Sequence, residues 1–438
     1  MQRTATPGIN WYTRLRDWWE DPDAGVDIRR WAGYGALLIA IGAAMRTPLV
    51  ALPGVLMIAI GLIMRFWWDN AVRNLTFHRT FTSQRAFYGD EVVMELIATN
   101  AKPLPLTRVD VVEQTSPLAN VRHQKLYPAA NTRNLHLQSV FSLGMYERVS
   151  QRFVLDCDRR GWQRFGPTTL TAHDPFGVTS RNLEIREQSG VLVYPRMVPM
   201  SSFVVSARQP LGDYKPVTPL VEDPMRIAGV RPYVPGDSPR RIHWRATART
   251  GELQTRLFEP SASPVAAIFL DTITFSHLWE GQNSDVLELS VVVAASMARQ
   301  LIEARHQVGM YANAPINDRS RSVRISPGRR GGQLQKILEH LAMLQPAFGE
   351  NIQTMIGQEL SRLPWGSTVV VITSHVSPDF QRSLLRMARS GGAGRFVIVA
   401  IGDEPELFPD VRKRFQVYHL SGEEAWDELE TIQLNPLQ

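Results

Sequence analysis

The densest group of chemically capable side chains lies between Arg231 and Pro260, in RPYVPGDSPRRIHWRATARTGELQTRLFEP. The best cluster is Asp237, Arg241, His243 and Trp244, in which Asp237 and His243 could do acid–base chemistry. No serine or cysteine nucleophile motif accompanies this set. The same spacing fits a fixed ionic cluster, in which Asp237 accepts from Arg241 or Arg245 and Trp244 plugs a domain junction. With no nucleophile in reach, the structural role outweighs the catalytic one. Three other groups carry less chemistry. His173-Asp174 is a pair of metal-capable residues with no second cluster at ligand spacing. Gly328 to Gly332, with Arg329-Arg330, lacks the Gly-Lys-Ser/Thr ending of a phosphate loop and reads as a flexible basic turn. The arginines around Trp244 have some of the chemistry of single-strand binding, but no recognised nucleic-acid module surrounds them, so nucleic acid is not an expected partner.

These residues need elements to hold them. Pro235-Gly236-Asp237 has the composition of a turn, and Leu253, Thr255 and Leu257 alternate with polar residues as a half-buried strand does. Upstream, from about Asn74 to Val193, short alternating runs are punctuated by Tyr88-Gly89-Asp90, Gly166-Pro167 and Asp174-Pro175-Phe176-Gly177. No amphipathic helix interrupts them, which predicts an antiparallel β-sandwich, immunoglobulin-like. Cys157 falls in register with Val149, Phe153 and Leu155 and reads as a small core residue. One cysteine in 438 residues excludes an internal disulfide framework. Downstream, apolar strands at 265–270, 308–312, 368–373 and 396–401 alternate with helical patterns at 285–305, 334–344 and from Pro378 to Gly391. That alternation predicts a parallel sheet covered on both faces, with its ligand crevice at the carboxyl ends of the strands.

The N-terminal region is of another kind. Trp31–Met45 and Leu49–Met64 are uncharged apolar runs separated by Arg46-Thr47-Pro48. Two short transmembrane helices in a hairpin fit better than one span with Pro48 in its middle, with an in-plane segment as the alternative. Arg65 would snorkel, and Trp67 and Trp68 would sit at the interface. Arg14, Arg16, Arg29 and Arg30 precede the hairpin, Arg65, Arg73 and Arg79 follow it, and only Arg46 lies between. The positive-inside rule then puts both ends in the cytoplasm. Trp11, Tyr12, Leu15, Trp18 and Trp19 recur at helical spacing and read as an interfacial helix or as a tail with stray aromatics. The net charge of +6, mostly from arginine, suits an anionic membrane surface or an acidic partner.

Arg231, Tyr233, Gly236-Asp237, Arg241, Ile242, Trp244, Arg249 and Leu253 together resemble the signature of domain-of-unknown-function family 58. Arg159-Arg160-Gly161-Trp162 through Pro167, and Asp174 to Gly177, are consistent with it. The resemblance implies a membrane-anchored bacterial or archaeal protein of the inner (cytoplasmic) membrane. It implies a MoxR-type AAA+ ATPase as partner and often a transglutaminase-like membrane protein. It also implies that the C-terminal α/β region is similar to a von Willebrand factor type A domain. In such domains a Mg²⁺ site opens with Asp-x-Ser-x-Ser after the first strand. Here the run is Asp271-Thr272-Ile273-Thr274-Phe275, and Ile273 and Phe275 offer a hard cation no oxygen ligand. Asp271 and Thr274, with Ser374, are what such a site would retain.

The expected α+β multidomain organisation is a cytoplasmic segment at 1–30, a transmembrane hairpin at 31–68, a β-sandwich at 72–195, a connection with the signature at 196–260, and a von Willebrand factor type A-like domain at 261–438. The expected function is that of a membrane-anchored accessory or assembly factor working with the ATPase. The alternative is a membrane-bound enzyme using Asp237, Arg241 and His243.

Overall fold

The computed structural model describes residues 28–129, 133–175, 179–201, 222–234, 237, 241–260, 264–274, 281–316, 319–345, 350–364, 366–389, 395–422 and 425–437. The aromatic run Trp11–Trp19, most of the connection before the signature, Pro235-Gly236 and Phe275 lie outside those residues. The chain divides into two compact units, Met1–Tyr194 and Pro195–Gln438.

The first unit begins with helices α1 (Ile28–Ala44) and α2 (Pro48–Ala71), joined through Met45-Arg46-Thr47. Small residues let their backbones meet. A Cβ added to Gly35 would lie 2.8 Å from the Gly54 carbonyl oxygen, and one added to Gly42 would lie 2.6 Å from the Ala51 nitrogen. That register is antiparallel. Leu37, Ile41, Leu49, Leu52, Val55, Leu56, Leu62, Ile63 and Phe66 point outward and are exposed, an apolar surface of the kind that marks a membrane or protein contact. The 24 residues of α2 make it long and apolar enough to cross a membrane; α1, at 17, is shorter. Gly42→Val would force the helices apart by about 1 Å or more, since a carbon cannot approach much inside 3.5 Å. Spin labels at Leu37 and Val55 should then report a longer, broader separation than in the parent chain.

The lower end of α2 departs from the sequence expectation. Trp67 and Trp68 are not interfacial anchors but are buried in the core of the following domain. Arg65 does not snorkel: it is buried and ion-paired to Asp69 at 3.3 Å. The Trp68 ring lies between the guanidinium groups of Arg65 and Arg181, 5.1 and 3.8 Å from its centroid, an arrangement that a ring quadrupole favours. Lys102 closes the helix end, its Nζ donating to the carbonyls of Ala71 at 2.6 Å and Arg73 at 2.9 Å. These are carbonyls that a helix C-terminus leaves without partners. Burial lowers the Lys102 ammonium to about 8.

The sandwich is built from β1 (Leu75–Phe81), β2 (Arg85–Ala86), β3 (Glu91–Asn100), β4 (Leu106–Thr115), β5 (Asn120–Val121), β6 (Tyr127–Pro128), β7 (Leu135–Leu143), β8 (Arg148–Asp156), β9 (Gly161–His173), β10 (Ser180–Ile185) and β11 (Ser189–Val193). One sheet has the order β1-β3-β8-β5; the other runs β2-β11-β9-β4-β7-β6, with β10 also on β9. Every pairing is antiparallel except β2 with β11. Alternation along the strands sends Met94, Leu96, Phe141, Leu155, Phe165 and Leu170 inward. Cys157 is buried among them, and burial pushes its thiol up to about 12. Arg79, counted above as a flanking charge, is instead inside: from β1 it reaches Glu113 on β4, linking the two sheets. His173 and Asp174 turn to different partners, Asp110 at 3.0 Å and the Thr179 N–H at 3.1 Å, so they do not form a ligand pair.

The second unit contains a short pair, β12 (Met200–Ser201) with β21 (Ile432–Gln433), and an antiparallel ribbon of β13 (Glu222–Pro232) and β14 (Gln254–Pro260) that brackets α3 (Trp244–Thr250). Its main body runs β15 (Val265–Leu270), α4 (Ser284–Glu303), β16 (Gln307–Ile316), β17 (Arg319–Gly328), α5 (Gln333–Ala342), α6 (Ile352–Leu360), β18 (Thr368–Thr373), α7 (Pro378–Arg389), β19 (Arg395–Ile401), α8 (Pro409–Arg414), β20 (Gln416–Leu420) and β22 (Asn435–Pro436). The sheet order is β17-β16-β15-β18-β19-β20-β22, parallel from β16 to β20, with antiparallel strands at both edges. The chain moves outward in one direction from β15, then returns beside it and moves out in the other. The switch point therefore falls between β15 and β18. On one face Ala267, Phe269, Val369, Val371 and Ile398 pack with Ile356 of α6, Phe380 and Leu384 of α7, and Val411 of α8. Alternate residues such as Ile268 and Leu270 are buried toward the other face, where α4 and α5 lie. Asn283 caps α4 by accepting from the N–H groups of Asp285 and Val286. Strand β17 and helix α6 lie outside the elements expected from the sequence, although Ile352, Met355, Ile356 and Leu360 carry a helical period.

Candidate functional site

Two constellations of polar residues stand out in the second unit, one on the ribbon and one at the switch point. On the ribbon, β13 and β14 pair from Gly229 opposite Leu257 to Pro232 opposite Gln254, with a register shift between Ile227 and Gly229. Arg231 is opposite Thr255, and both reach Asp237. Arg231 grips the carboxylate with both guanidinium nitrogens, Nη1 to Oδ2 and Nη2 to Oδ1, each at 2.7 Å. The Val234 N–H at 3.1 Å and the Thr255 hydroxyl at 3.2 Å also donate to Oδ2. The Arg231 fork, then the Val234 N–H, hold the Asp237 carboxyl at about 2. Its pairing is therefore complete above the ordinary carboxylate range near pH 4 and is lost only as pH falls through about 2. The partner is Arg231, not Arg241 or Arg245: the strand pairing brings position 231 to the turn, while Arg241 and Arg245 are exposed beyond it. Gly236 lies outside the described residues.

His243 is the N-cap of α3. Its Nδ1 accepts from the Ala246 N–H at 3.0 Å, and its own N–H donates to the Gln254 carbonyl at 2.7 Å. A ring nitrogen engaged in a cap is poorly placed as a general base. Gly251, in the left-handed region at φ 72°, closes the helix by donating to the Thr247 carbonyl. The Thr247 hydroxyl donates to the His243 carbonyl and accepts from the Gln254 N–H, tying helix to strand. Trp244 does not plug a junction: as the first residue of α3 it is turned outward and 65% exposed. Val230, Val234 and Leu253 are exposed as well, and Arg245 and Arg249 lie one helical turn apart on the same short helix. Tyr233 is half-buried, its N–H donating to the Leu253 carbonyl. The ribbon thus has a locked ionic hinge and an apolar, cationic exterior.

At the switch point, Asp271 follows β15 and is buried. Its Oδ1 accepts from Asn313 Nδ2 at 2.8 Å and from the Ile273 N–H at 3.2 Å; its Oδ2 accepts from the Thr373 hydroxyl at 3.1 Å. Asn313 comes from β16, and its own oxygen accepts from the Thr272 N–H and hydroxyl. The carboxylate is thus surrounded by neutral donors, and burial raises its affinity for a proton above that of an ordinary aspartate. Thr274 and Ser374 do not converge on it. Thr274 Oγ1 accepts from the Asn283 N–H, and Ser374 Oγ donates to the Ile273 carbonyl. Asp271 Oδ1 already accepts from the Asn313 amide, and among the described residues no group of three His, Cys, Asp or Glu side chains could hold a metal ion. The sequence reading missed Asn313 and Thr373. A lone asparagine in the otherwise apolar run Val308–Ala314 was the available signal.

Residues 229–412 match the family model described as Protein of unknown function DUF58. The match begins in β13 and ends in α8, so it takes in both constellations. Among curated proteins, this chain is similar to an uncharacterized protein, YeaD, of Bacillus subtilis (strain 168), at 25% identity over 251 residues. That alignment covers 57% of this chain and 58% of the relative, so the chain spans under two thirds of its length. Among solved structures, the CARDB domain of the PF1109 protein of Pyrococcus furiosus, in complex with di-metal ions, is 15% identical, with 27% of this chain and 91% of that one covered at a TM-score of 0.19. Domains D2 and D3 of the major pilin SpaD of Corynebacterium diphtheriae are 8% identical, with 30% and 57% covered at a TM-score of 0.23. Scores of that size carry no argument, and the sandwich assignment rests on the strand pairing described above.

Proposed function

We propose that this chain is a membrane-anchored accessory factor that docks a protein partner, a MoxR-type AAA+ ATPase or its client, on the ribbon. The observation that carries this reading is the ribbon's exterior: Trp244, Val230, Val234 and Leu253 exposed beside Arg245 and Arg249, on a scaffold pinned by Arg231 and Asp237. An exposed tryptophan and arginines on one short helix are residue types enriched among interface anchors. The ATPase itself is an inference from family resemblance. In the same reading, α1 and α2 form a two-pass hairpin with both ends in the cytoplasm. The α/β body is von Willebrand factor type A-like, a reading supported by its strand order and by Asp271 after the first strand. The catalytic alternative has less support, because Asp237 is held by Arg231 and His243 by its cap.

The test is affinity purification of the full chain from solubilised native membranes, with mass spectrometry. Trp244→Ala with Arg245→Ala changes two exposed side chains and should leave the fold intact. The ATPase should be recovered with the parent chain and fall at least fivefold with the variant. Equal recovery would move docking off the ribbon, and no ATPase in either sample would remove the partner assignment.

A further inference from the structure

The second unit carries a cationic surface that the ribbon reading does not use. Helices α7 and α8 together contain six cations, Arg382, Arg386, Arg389, Arg412, Lys413 and Arg414, against two acids, Asp379 and Asp410. The whole chain has a net charge of only +6, so these eighteen residues hold most of that excess. The two helix ends adjoin, with Arg414 Nη2 donating to the Ala388 carbonyl at 3.1 Å. Arg382, Arg386 and Arg389 stand four and three residues apart, on one face of α7. They line an open groove of about 500 Å³ together with Ser383, Leu385 and Asp379.

Structural needs explain part of this. Cations in the last turn complement the helix dipole, and Arg382 pairs with Asp379 at 3.4 Å. Arg386 donates to the Ser383 hydroxyl at 3.0 Å. Among the described residues, Arg389, Arg412 and Lys413 have no ionic partner. Like charges three and four residues apart lower helix stability, by about 0.2–0.5 kcal/mol per pair. The dipole and the Asp379 pair offset part of that cost, and a bound anion would relieve the repulsion among the arginines directly.

We propose that the arginine face of α7 is a binding site for a phosphate-bearing anion, with Arg386 and Arg389 as its principal ligands and Arg382 at its rim. Guanidinium forks match phosphate oxygens two at a time, and several of them around one groove suit a multiply charged group better than a single carboxylate. The phosphate can come from a soluble compound or from a lipid headgroup.

The test uses the full chain in a non-ionic detergent, titrated by calorimetry with sodium pyrophosphate and, separately, with the short-chain lipid dihexanoyl phosphatidic acid. Both should saturate with the parent chain and bind at least tenfold more weakly to Arg386→Gln/Arg389→Gln. Arg329→Gln/Arg330→Gln removes the same charge elsewhere and should bind as the parent does. Saturation by the lipid alone assigns the site to a headgroup; saturation by pyrophosphate alone assigns it to a soluble compound. Absence of saturation with both probes overturns the proposal, and so does equal weakening in the two double variants. Should the Arg386/Arg389 variant lose its parental melting profile, Arg389→Gln alone replaces it, with the same expected direction. The site shares no residue with the ribbon, so its failure and that of the docking reading are separable.

Discussion

Arg79→Ala should destabilise the β-sandwich by about 3–5 kcal/mol at neutral pH, as removing one partner of a buried ion pair does. The Arg79 and Glu113 side chains are 5% and 1% exposed, and the pair joins the two sheets. Arg79 also donates to the Phe165 carbonyl at 3.0 Å and to the hydroxyls of Ser189 at 2.7 Å and Thr168 at 3.0 Å. Removing it leaves the Glu113 carboxylate in the core with only Thr168 as a donor. Burial already pushes the Glu113 carboxyl above its ordinary range, against the attraction of Arg79. Without Arg79 the carboxyl must go higher. A group whose folded affinity for a proton exceeds its unfolded one costs stability as pH rises. The deficit of Arg79→Ala should therefore be larger at pH 7 than at pH 4. The double variant Arg79→Met/Glu113→Leu should recover most of the loss, because an apolar pair of similar volume carries no desolvation cost. Hydrogen exchange in the β4 and β9 peptides reads this directly: about two to four orders of magnitude faster in Arg79→Ala, and near the parent rate in the double variant. An Arg79→Ala chain that exchanges like the parent would mean the pair adds nothing to the fold.

That same arginine shows where sequence reading stops. In the sequence Arg79 is one of several basic residues after an apolar run, and the positive-inside rule treats all of them alike. Strand pairing decides otherwise, since β1 lies opposite β3 with Arg79 against Leu96, which turns its side chain between the sheets. Trp67 and Trp68 follow the same logic. Aromatic residues at the end of an apolar helix read as membrane anchors, but α2 continues into the sandwich and buries them there. The elements with strong periods were legible: the alternating strands of the sandwich, and β15, β18 and β19 as buried parallel strands. Helix α3 was not, because seven residues carry too little period, and its end signal, Gly251, lies in a stretch otherwise read as a strand approach. The site was half legible. Arg231 and Asp237 were both singled out, but which arginine meets the carboxylate depends on the register of β13 against β14, and no local spacing contains that.

The switch-point carboxylate allows the sharpest separation of charge from hydrogen bonding. In Asp271→Ala the Asn313 amide and the Ile273 N–H lose their acceptor, while Thr373 keeps one in the His375 carbonyl at 3.2 Å. Each orphaned buried donor costs about 1–3 kcal/mol, so exchange in the β15 and β18 peptides should accelerate by at least tenfold. Asp271→Asn should do the opposite. Its oxygen can accept from Asn313 and Ile273 as before, and its amide can donate to Thr373 Oγ1, whose proton then goes to His375. Every bond is kept and the buried charge is gone. Because burial raises the Asp271 carboxyl above the unfolded value, the parent chain loses stability as pH rises through the folded value, and the asparagine variant does not. At neutral pH the variant should therefore be at least as stable as the parent, with a flatter dependence on pH. If Asp271→Asn is instead as damaging as Asp271→Ala, the negative charge itself is required there.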